Sequence, residues 1–575
     1  MLKFLQFCVL SLAILNVSCA TAAATDNPYG DYLAGRHALS NYDFDVAASF
    51  FEKALATDQD NPDFLHGVFM SLLALGKIDR ALPISKRLLD INESYGFASL
   101  VILAHRTKKE DFEEIVSNPE IESPQGQLPD QLARAWAQIG AGSVTDSLNA
   151  FNDVIAQNNL SAFGRYHKAL ALALVGDVER AEEVLGDRQA RAMGHRGVAA
   201  RIKILSQLDR NSDALTLAEE FYKGVDSTHV INMMRDLREG KKLPFKHIES
   251  VRDGIAEVFV SLASIYRQAG DQESKFHSLA FNQLAYFVRP SYVESLILIA
   301  DIFQELKQFD LSIATYKLVP ESHPEFLSAE LGRANVLNEN GKPDAAIEVL
   351  EQLAQRFTNS PMVYTTLGGI YRQMLNYEEA VTAYKQALET SAATSSSKWY
   401  AYFVLGISHE RLDQWPEAEE NFRRALAIHP EEPRILNYLG YSMVEKKINL
   451  EEALEMIQLA VERQPDSGYI VDSLGWVLYR LNRYEESVVH MERAVELDPT
   501  DPTINDHLGD VYWAIGRYRE AEFQWRRALS YADPEEVERD DDLDLDRIRR
   551  KLIVGLDVVL EEEGAPPLAV ADDNR

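Results

Sequence analysis

Cysteine is nearly absent from this chain. The two that occur in 575 residues, Cys8 and Cys19, both precede residue 20, so no disulfide framework can form in the body and no thiolate is offered there as nucleophile or metal ligand. Cations are scarce as well. Lys plus Arg total 58 against 90 Asp plus Glu, a formal charge of -32, and a surface that acidic repels phosphate backbones, so nucleic acid is not expected as a partner. Beyond the first 24 residues nothing approaches the ~20 continuous apolar residues that a membrane-spanning helix needs.

Catalytic signatures are missing too. There is no H-E-x-x-H, no G-x-S-x-G and no Gly-rich loop ending in Gly-Lys-Ser or Gly-Lys-Thr, the arrangements that assemble a zinc site, a nucleophile elbow or a phosphate cradle. His37, His66, His105, His167, His247, His409 and His490 stand singly, as surface or core side chains do. No catalytic residue, no metal ligand and no cofactor is expected, and the chain reads as a non-enzyme.

The first 24 residues, MLKFLQFCVLSLAILNVSCATAAA, have a basic start at Lys3, an apolar run to Leu15 and small residues at Ala20, Ala22 and Ala24. That is the layout of a secretory signal, so export to the periplasm is expected. Two cut sites stay open. A lipoprotein cut would fall before Cys19 and make it the lipidation site, anchoring the chain to the outer membrane, although Asn16 stands where such signals favour Leu. Ordinary cleavage would fall after Ala22 or Ala24. Membrane association is expected only through that anchor.

What the chain has in abundance is repetition. LGWVLYRLNRYEESVVHMERAVELDP, from Leu474 to Pro499, is echoed 34 residues on from Gly475 by LGDVYWAIGRYREAEFQWRRAL and 35 residues before it by LGYSMVEKKINLEEALEMIQLAV. Leu-Gly, a large residue three later, Ala twelve after the Gly, a ring four later and Ala three later recur as Leu367-Gly368, Tyr371, Ala380, Tyr384 and Ala387, and again as Leu405-Gly406, Ala418, Phe422 and Ala425. The hairpin at Gly440 carries one inserted residue before Ala453. Each mark has a packing role: small residues let two helices approach, and bulky ones fill the space between them.

These marks at this period resemble the tetratricopeptide repeat. The resemblance implies an all-α fold, a right-handed α-α superhelical solenoid of tandem helix hairpins. Gly35, Ala47, Phe51 and Ala54 make a first copy, Gly76 and Ala81 a second, Ala104 and Ala135 with Phe151 the third and fourth, Ala169 and Ala181 a fifth and Ala214 a sixth. The expected layout is a signal over 1–24, an amino-terminal array over 25–223 and an irregular insertion or hinge over 224–253, where GVDSTHVINMMRDLREGKKLPFKHIES shows no clean marks. A carboxyl-terminal array of about eight repeats over 254–535 follows, then an acidic segment and capping helix over 536–562 and a loose tail over 563–575. Leu545, Ile548, Leu552, Leu556 and Leu560 give the capping helix its spacing.

In this family the first helix of each repeat lines the inner face. The resemblance therefore places Tyr400, Phe403, Arg411, Asn437, Tyr441, Tyr469, Trp476, Tyr479, Arg480 and Trp513 on a concave surface that would hold a peptide or helical segment of a partner protein. The competing reading is that these rings pack on one another and tighten the spiral. A clamp for a terminal carboxylate fits poorly, because Asn437 and Arg411 lack the lysines that complete it.

The overall layout is similar to that of the envelope adaptors of Gram-negative bacteria, repeat lipoproteins that bring a periplasmic carboxyl-terminal processing protease to its substrates. That likeness implies an envelope scaffold with a protease and its substrates as partners. The alternatives are a scaffold in outer-membrane or polysaccharide export assembly, and a ligand-binding protein or enzyme whose site lies in residues 224–250, among Asp226, His229, Asp236, Arg238, Lys241 and Lys242.

Overall fold

The structure, a computed structural model, describes residues 28–91, 96–117, 128–157, 159–223, 228–390, 394–532, 543–565 and 568. The proposed signal with Cys19, the start of the acidic segment and most of the tail fall outside them. Among the described residues every regular element is an α-helix. The fold is an all-α solenoid of tandem helix hairpins, and it divides into two compact units, Met1–Leu350 and Glu351–Arg575.

The repeated glycine and the ring sixteen residues after it are one device. A Cβ added at Gly368 would lie 2.5 Å from the ring of Tyr384, at Gly406 2.6 Å from Phe422, at Gly475 2.7 Å from Met491 and at Gly509 2.4 Å from Trp525. The missing side chain on the first helix is thus the space that the bulky residue of the second helix occupies. Tyr384, Phe422, Met491 and Trp525 are almost wholly buried. Fully burying such a side chain stabilises by about 1.5–3 kcal/mol, so the recurring pair closes each hairpin.

Between the two helices the chain turns through one left-handed residue. Gly76 (φ +66°), Asp209 (φ +58°), Gly341 (φ +68°), Leu375 (φ +63°), Asn482 (φ +59°) and Gly516 (φ +76°) all hold this place. The residue after each donates back to a carbonyl five positions earlier, as Lys77 does to Leu72 at 2.9 Å and Arg517 to Tyr512 at 2.8 Å, which satisfies the orphan carbonyls of the first helix. Several first helices open with proline, at Pro361, Pro433 and Pro502, where the missing N–H costs nothing.

In the first unit the hairpins from Pro28 onward do not present an empty inner face. Helix Val251–Ala269 packs on Leu128–Gly140 and Ser161–Leu174, and helix Gln272–Val288 packs on Pro62–Ala74 and Gly96–Lys109. The contacts fall on first-helix residues. Phe97 lies 5.4 Å from Phe281, the Phe287 ring takes the Lys108 ammonium at 3.8 Å, and a Cβ at Gly254 would meet Trp136 at 2.4 Å. Ile255, Ala256, Val258 and Phe259 are fully buried.

The stretch expected to be irregular, 224–253, holds a helix at Thr228–Arg238 and a helix start at Val251; among its described residues the non-helical backbone runs over 239–250. Met233 and Leu237 of that helix bury against Val198, Ala214 and Leu217, so spacing at 3.6 residues persists where the glycine and alanine marks do not. The segment is pinned by a buried network. Glu257 accepts hydrogen bonds from the Tyr166 hydroxyl at 2.7 Å, the Tyr292 hydroxyl at 2.6 Å and Arg196 Nε at 2.7 Å, and His247 Nε2 lies 3.0 Å from the Tyr166 hydroxyl.

In the second unit the capping element is two helices, Leu545–Val554 and Leu556–Glu562, not one. Gly555, at φ +84°, breaks the run. Leu545–Val554 packs on the last hairpin helix, Tyr518–Tyr531, and its fully buried Lys551 pairs with Asp506 at 2.8 Å and Asp510 at 2.6 Å.

Candidate functional site: the inner wall of the second unit

First helices of successive hairpins touch each other directly, Pro361–Gln373 with Ser395–Arg411, Pro433–Glu445 with Gly468–Arg480, and Gly468–Arg480 with Pro502–Ala514. Elements that meet across an intervening helix lie on the tighter side of the stack, so these helices form its inner wall.

The ten residues singled out from the sequence divide into three groups. Tyr400 and Tyr469 stand in solvent, 39% and 50% exposed. Tyr441, Arg411, Arg480 and Trp513 are half-buried. Phe403, Asn437, Trp476 and Tyr479 are buried.

For the buried group, self-packing of the rings describes the geometry. Phe403 joins Phe422 and Tyr438, with centroids at 6.2 and 5.9 Å. Trp476 is stacked on Tyr479 at 4.8 Å and on His507 at 3.9 Å, donates its indole N–H to Glu445 at 2.6 Å and carries Arg480 over its ring at 5.9 Å. Trp513 donates to Asp557 at 2.9 Å, and a Cβ at Gly555 would lie 2.5 Å from its ring, so the capping element covers it.

Two members of this assembly carried no mark in the repeat pattern. His507 Nδ1 lies 3.0 Å from Asp472, 35 residues earlier. Burial alone would lower the imidazole, but the Asp472 carboxylate, with Asp506 and Glu445 beyond, holds it up at about 9. Tyr479 is pushed well above the ordinary phenol range by burial and by Asp510. The only sequence signal was the spacing itself: Asp472 and His507 sit at inner positions of adjacent hairpins, one period apart.

Charge separates the two faces. The inner helices from Pro361 to Arg480 carry Arg372, Lys398, Arg411, Arg434 and Arg480 against Glu410, Glu445 and Asp472. The outer helices of the same hairpins carry 14 acidic residues against 5 basic. Most of the chain's negative charge in this stretch thus faces away from the inner wall.

Of the residues marked in 224–250, the described ones are engaged in surface ion pairs: Arg238 with Glu219 at 2.7 Å, Lys241 with Asp236 at 3.1 Å and Lys242 with Asp209 at 2.9 Å. Asp226 and the side chain of His229 lie outside the described residues. Among the described residues no group of three or more His, Cys, Asp or Glu is placed to hold a metal ion, and no helix is long and apolar enough to cross a membrane.

This geometry of small-residue contacts and stacked hairpins is that of a helical repeat solenoid, and part of the chain matches a known repeat family. Residues 328–360 and 359–431 match the tetratricopeptide repeat family, and residues 475–516 match its TPR repeat. Repeats of this kind are protein-binding scaffolds.

Among relatives, the chain is similar to a TPR repeat-containing protein, PA4667, of Pseudomonas aeruginosa, 24% identical over 163 residues that cover 28% of this chain and 27% of that protein. It is also similar to cellulose synthase operon protein C of Pseudomonas fluorescens, 29% identical over 157 residues, 26% of this chain and 12% of that one. The matches thus span about a quarter or less of these relatives' lengths. Solved structures that align with it include the APC/C hetero-tetramer Cut9-Hcn1, 14% identical, covering 92% of this chain and 96% of that one with a TM-score of 0.38. Yeast Tom70 is 15% identical, covering 93% and 98% with a TM-score of 0.35.

Proposed function

We propose that this protein is a non-catalytic scaffold of the bacterial cell envelope that binds partner proteins along the inner wall of its second unit. The observation that carries this reading is the contrast between the two units. In the first, the chain's own helices fill the inner face; in the second, Tyr400 and Tyr469 stand exposed beside half-buried Tyr441 and Arg480. Tyrosines bring large contact area at small cost in side-chain freedom, and they concentrate at binding surfaces.

The test is photo-crosslinking from the full chain in cells. A photoreactive residue placed at Tyr400 or Tyr469 is expected to yield discrete adducts that one placed at outer-helix Glu455 does not, and a double Tyr400→Ala, Tyr469→Ala variant is expected to lose captured partners with its helical content unchanged. Equal adducts from both faces would count against the reading. Trp476 is a poor probe, because truncating a buried, stacked ring destabilises the hairpin itself.

Within this reading the partners are a periplasmic processing protease and its substrates, held together on one chain so that their effective concentration rises. The leader supports export, and acylation at Cys19 would place the scaffold at the outer membrane; mass spectrometry of the mature amino terminus tests both. A second reading, a scaffold in polysaccharide export, is supported by the similarity to cellulose synthase operon protein C. Recovery of a protease, or of export components, in affinity capture from envelope extracts separates the two.

A further inference from the structure

The inner wall of the second unit has a notch. One residue past the packing glycine, where later hairpins place Tyr441, Trp476 and Asp510, the hairpin from Pro361 has Gly369. A Cβ there would meet nothing within 4 Å, whereas its neighbour Gly368 is pressed against Tyr384. A glycine inside a helix costs about 1 kcal/mol relative to alanine, and no contact of Gly369 among the described residues requires one. The side chain it omits leaves room on the face that binds.

Along the wall that runs from this notch, several polar groups keep atoms without partners among the described residues. Arg372, one turn on, hydrogen-bonds the Tyr384 hydroxyl but pairs with no carboxylate among the described residues, and its buried Nε has no partner there. Asn437, two hairpins on and 7% exposed, has a buried Oδ1 with none. Arg480 rests on the Trp476 ring at 5.9 Å and makes no carboxylate pair among the described residues. Elsewhere in this acidic chain arginines are routinely paired, as Arg423 is with Glu419 and Glu452, or Arg517 with Glu492 and Glu520. A guanidinium left without a carboxylate amid so many offers two parallel N–H donors to one brought by a ligand.

Resting on the proposed role of this wall, we propose that it takes an extended acidic segment of a partner protein. A bulky side chain of that segment enters at Gly369, and its carboxylates meet Arg372 and Arg480. Three steps between adjacent first helices at roughly 10 Å each give about 30 Å, which an extended segment of about nine residues spans. The chain's overall negative charge does not forbid this. Most of the acids lie on outer helices, roughly 10 Å or more away across a helix diameter, and at physiological salt the screening length is about 8 Å; of the inner ones, Glu445 is taken by the Trp476 indole and Asp472 by His507.

The experiment uses the full chain and three labelled dodecapeptides, repeats of Glu-Glu-Tyr, Gln-Gln-Tyr and Lys-Lys-Tyr, followed by fluorescence anisotropy at ~50 and ~300 mM salt. The Glu peptide is expected to bind best and to weaken with salt. Arg372→Gln combined with Arg480→Gln is expected to weaken it about tenfold or more, with Arg372→Lys and Arg480→Lys keeping part of the affinity. Gly369→Leu is expected to weaken it comparably, with a circular dichroism melt no lower than the parent's. Equal or tighter binding of the Gln or Lys peptide, no binding of the Glu peptide, or indifference to the arginine variants would overturn the acidic preference. If capture through Tyr400 and Tyr469 persists in that case, the binding wall stands without it; if capture fails too, both readings fall.

Discussion

Asp472 and His507, on adjacent inner helices, form a buried pair with Nδ1 3.0 Å from the carboxylate and the imidazole flat against Trp476. The pair joins two hairpins through a proton. His507 is raised to about 9 in the fold from an ordinary 6.5, so its contribution to stability is complete below pH 6.5 and is lost as pH rises through 9. The size is about 3 kcal/mol at most. Urea midpoints of the second unit are expected to fall between about pH 7 and pH 9.5, and His507→Gln to flatten that slope.

Lys551 ties the cap to the last hairpin. Its ammonium is buried between Asp506 and Asp510. Asp510 keeps other partners, the Trp525 indole at 2.9 Å and Arg547 at 3.4 Å, whereas among the described residues Lys551 is the side-chain hydrogen-bond partner that Asp506 has. Lys551→Met is therefore expected to cost about 3–5 kcal/mol, and Lys551→Met with Asp506→Leu to recover most of it. Hydrogen exchange in Tyr518–Tyr531 reads both.

Glu257 is the corresponding point in the first unit. Burial alone would raise its carboxyl, but Arg196 holds it well below the usual range. Glu257→Gln leaves the Arg196 charge without a carboxylate and is expected to destabilise this unit by about 3–5 kcal/mol. Tyr292→Phe removes a hydroxyl that donates to Glu257 and accepts from Arg196 and is expected to cost about 1.5–3 kcal/mol. Thermal melts followed by first-unit probes test the ratio.

Leu375 occupies a left-handed turn, φ +63°, with its side chain 47% exposed. Asn482 fills the same place three hairpins on without such strain. Leu375→Asn is expected to stabilise by about 1 kcal/mol, since a branched side chain in this conformation costs roughly 1–2 kcal/mol. A rise of a few degrees in Tm is the readout.

The hairpins were legible because a glycine and a ring sixteen residues apart must coexist in one small space, and that constraint leaves letters behind. The helix at Thr228–Arg238 was not, since it buries Met233 and Leu237 without a glycine mark. The capping run read as one helix because its leucines keep period across Gly555, and only the backbone angle there breaks it. At the binding wall, inner-position rings could be listed from spacing. Which of them face solvent could not, because Trp476 and Tyr479 are covered by His507 and by each other, and contacts between hairpins have no signature in either one alone.

The helix pair from Val251 to Val288 has a consequence for how the molecule is made. The amide of Gln283 donates to the carbonyl of Ala74, 209 residues earlier in the chain, at 2.9 Å. A simple repeat array grows by adding each unit to its neighbour. The first unit cannot be completed that way: the early hairpins wait for their filling until the chain as far as Val288 is available to fold. Their apolar lining stays open to water meanwhile, and refolding in vitro is slowed by the same distant closure.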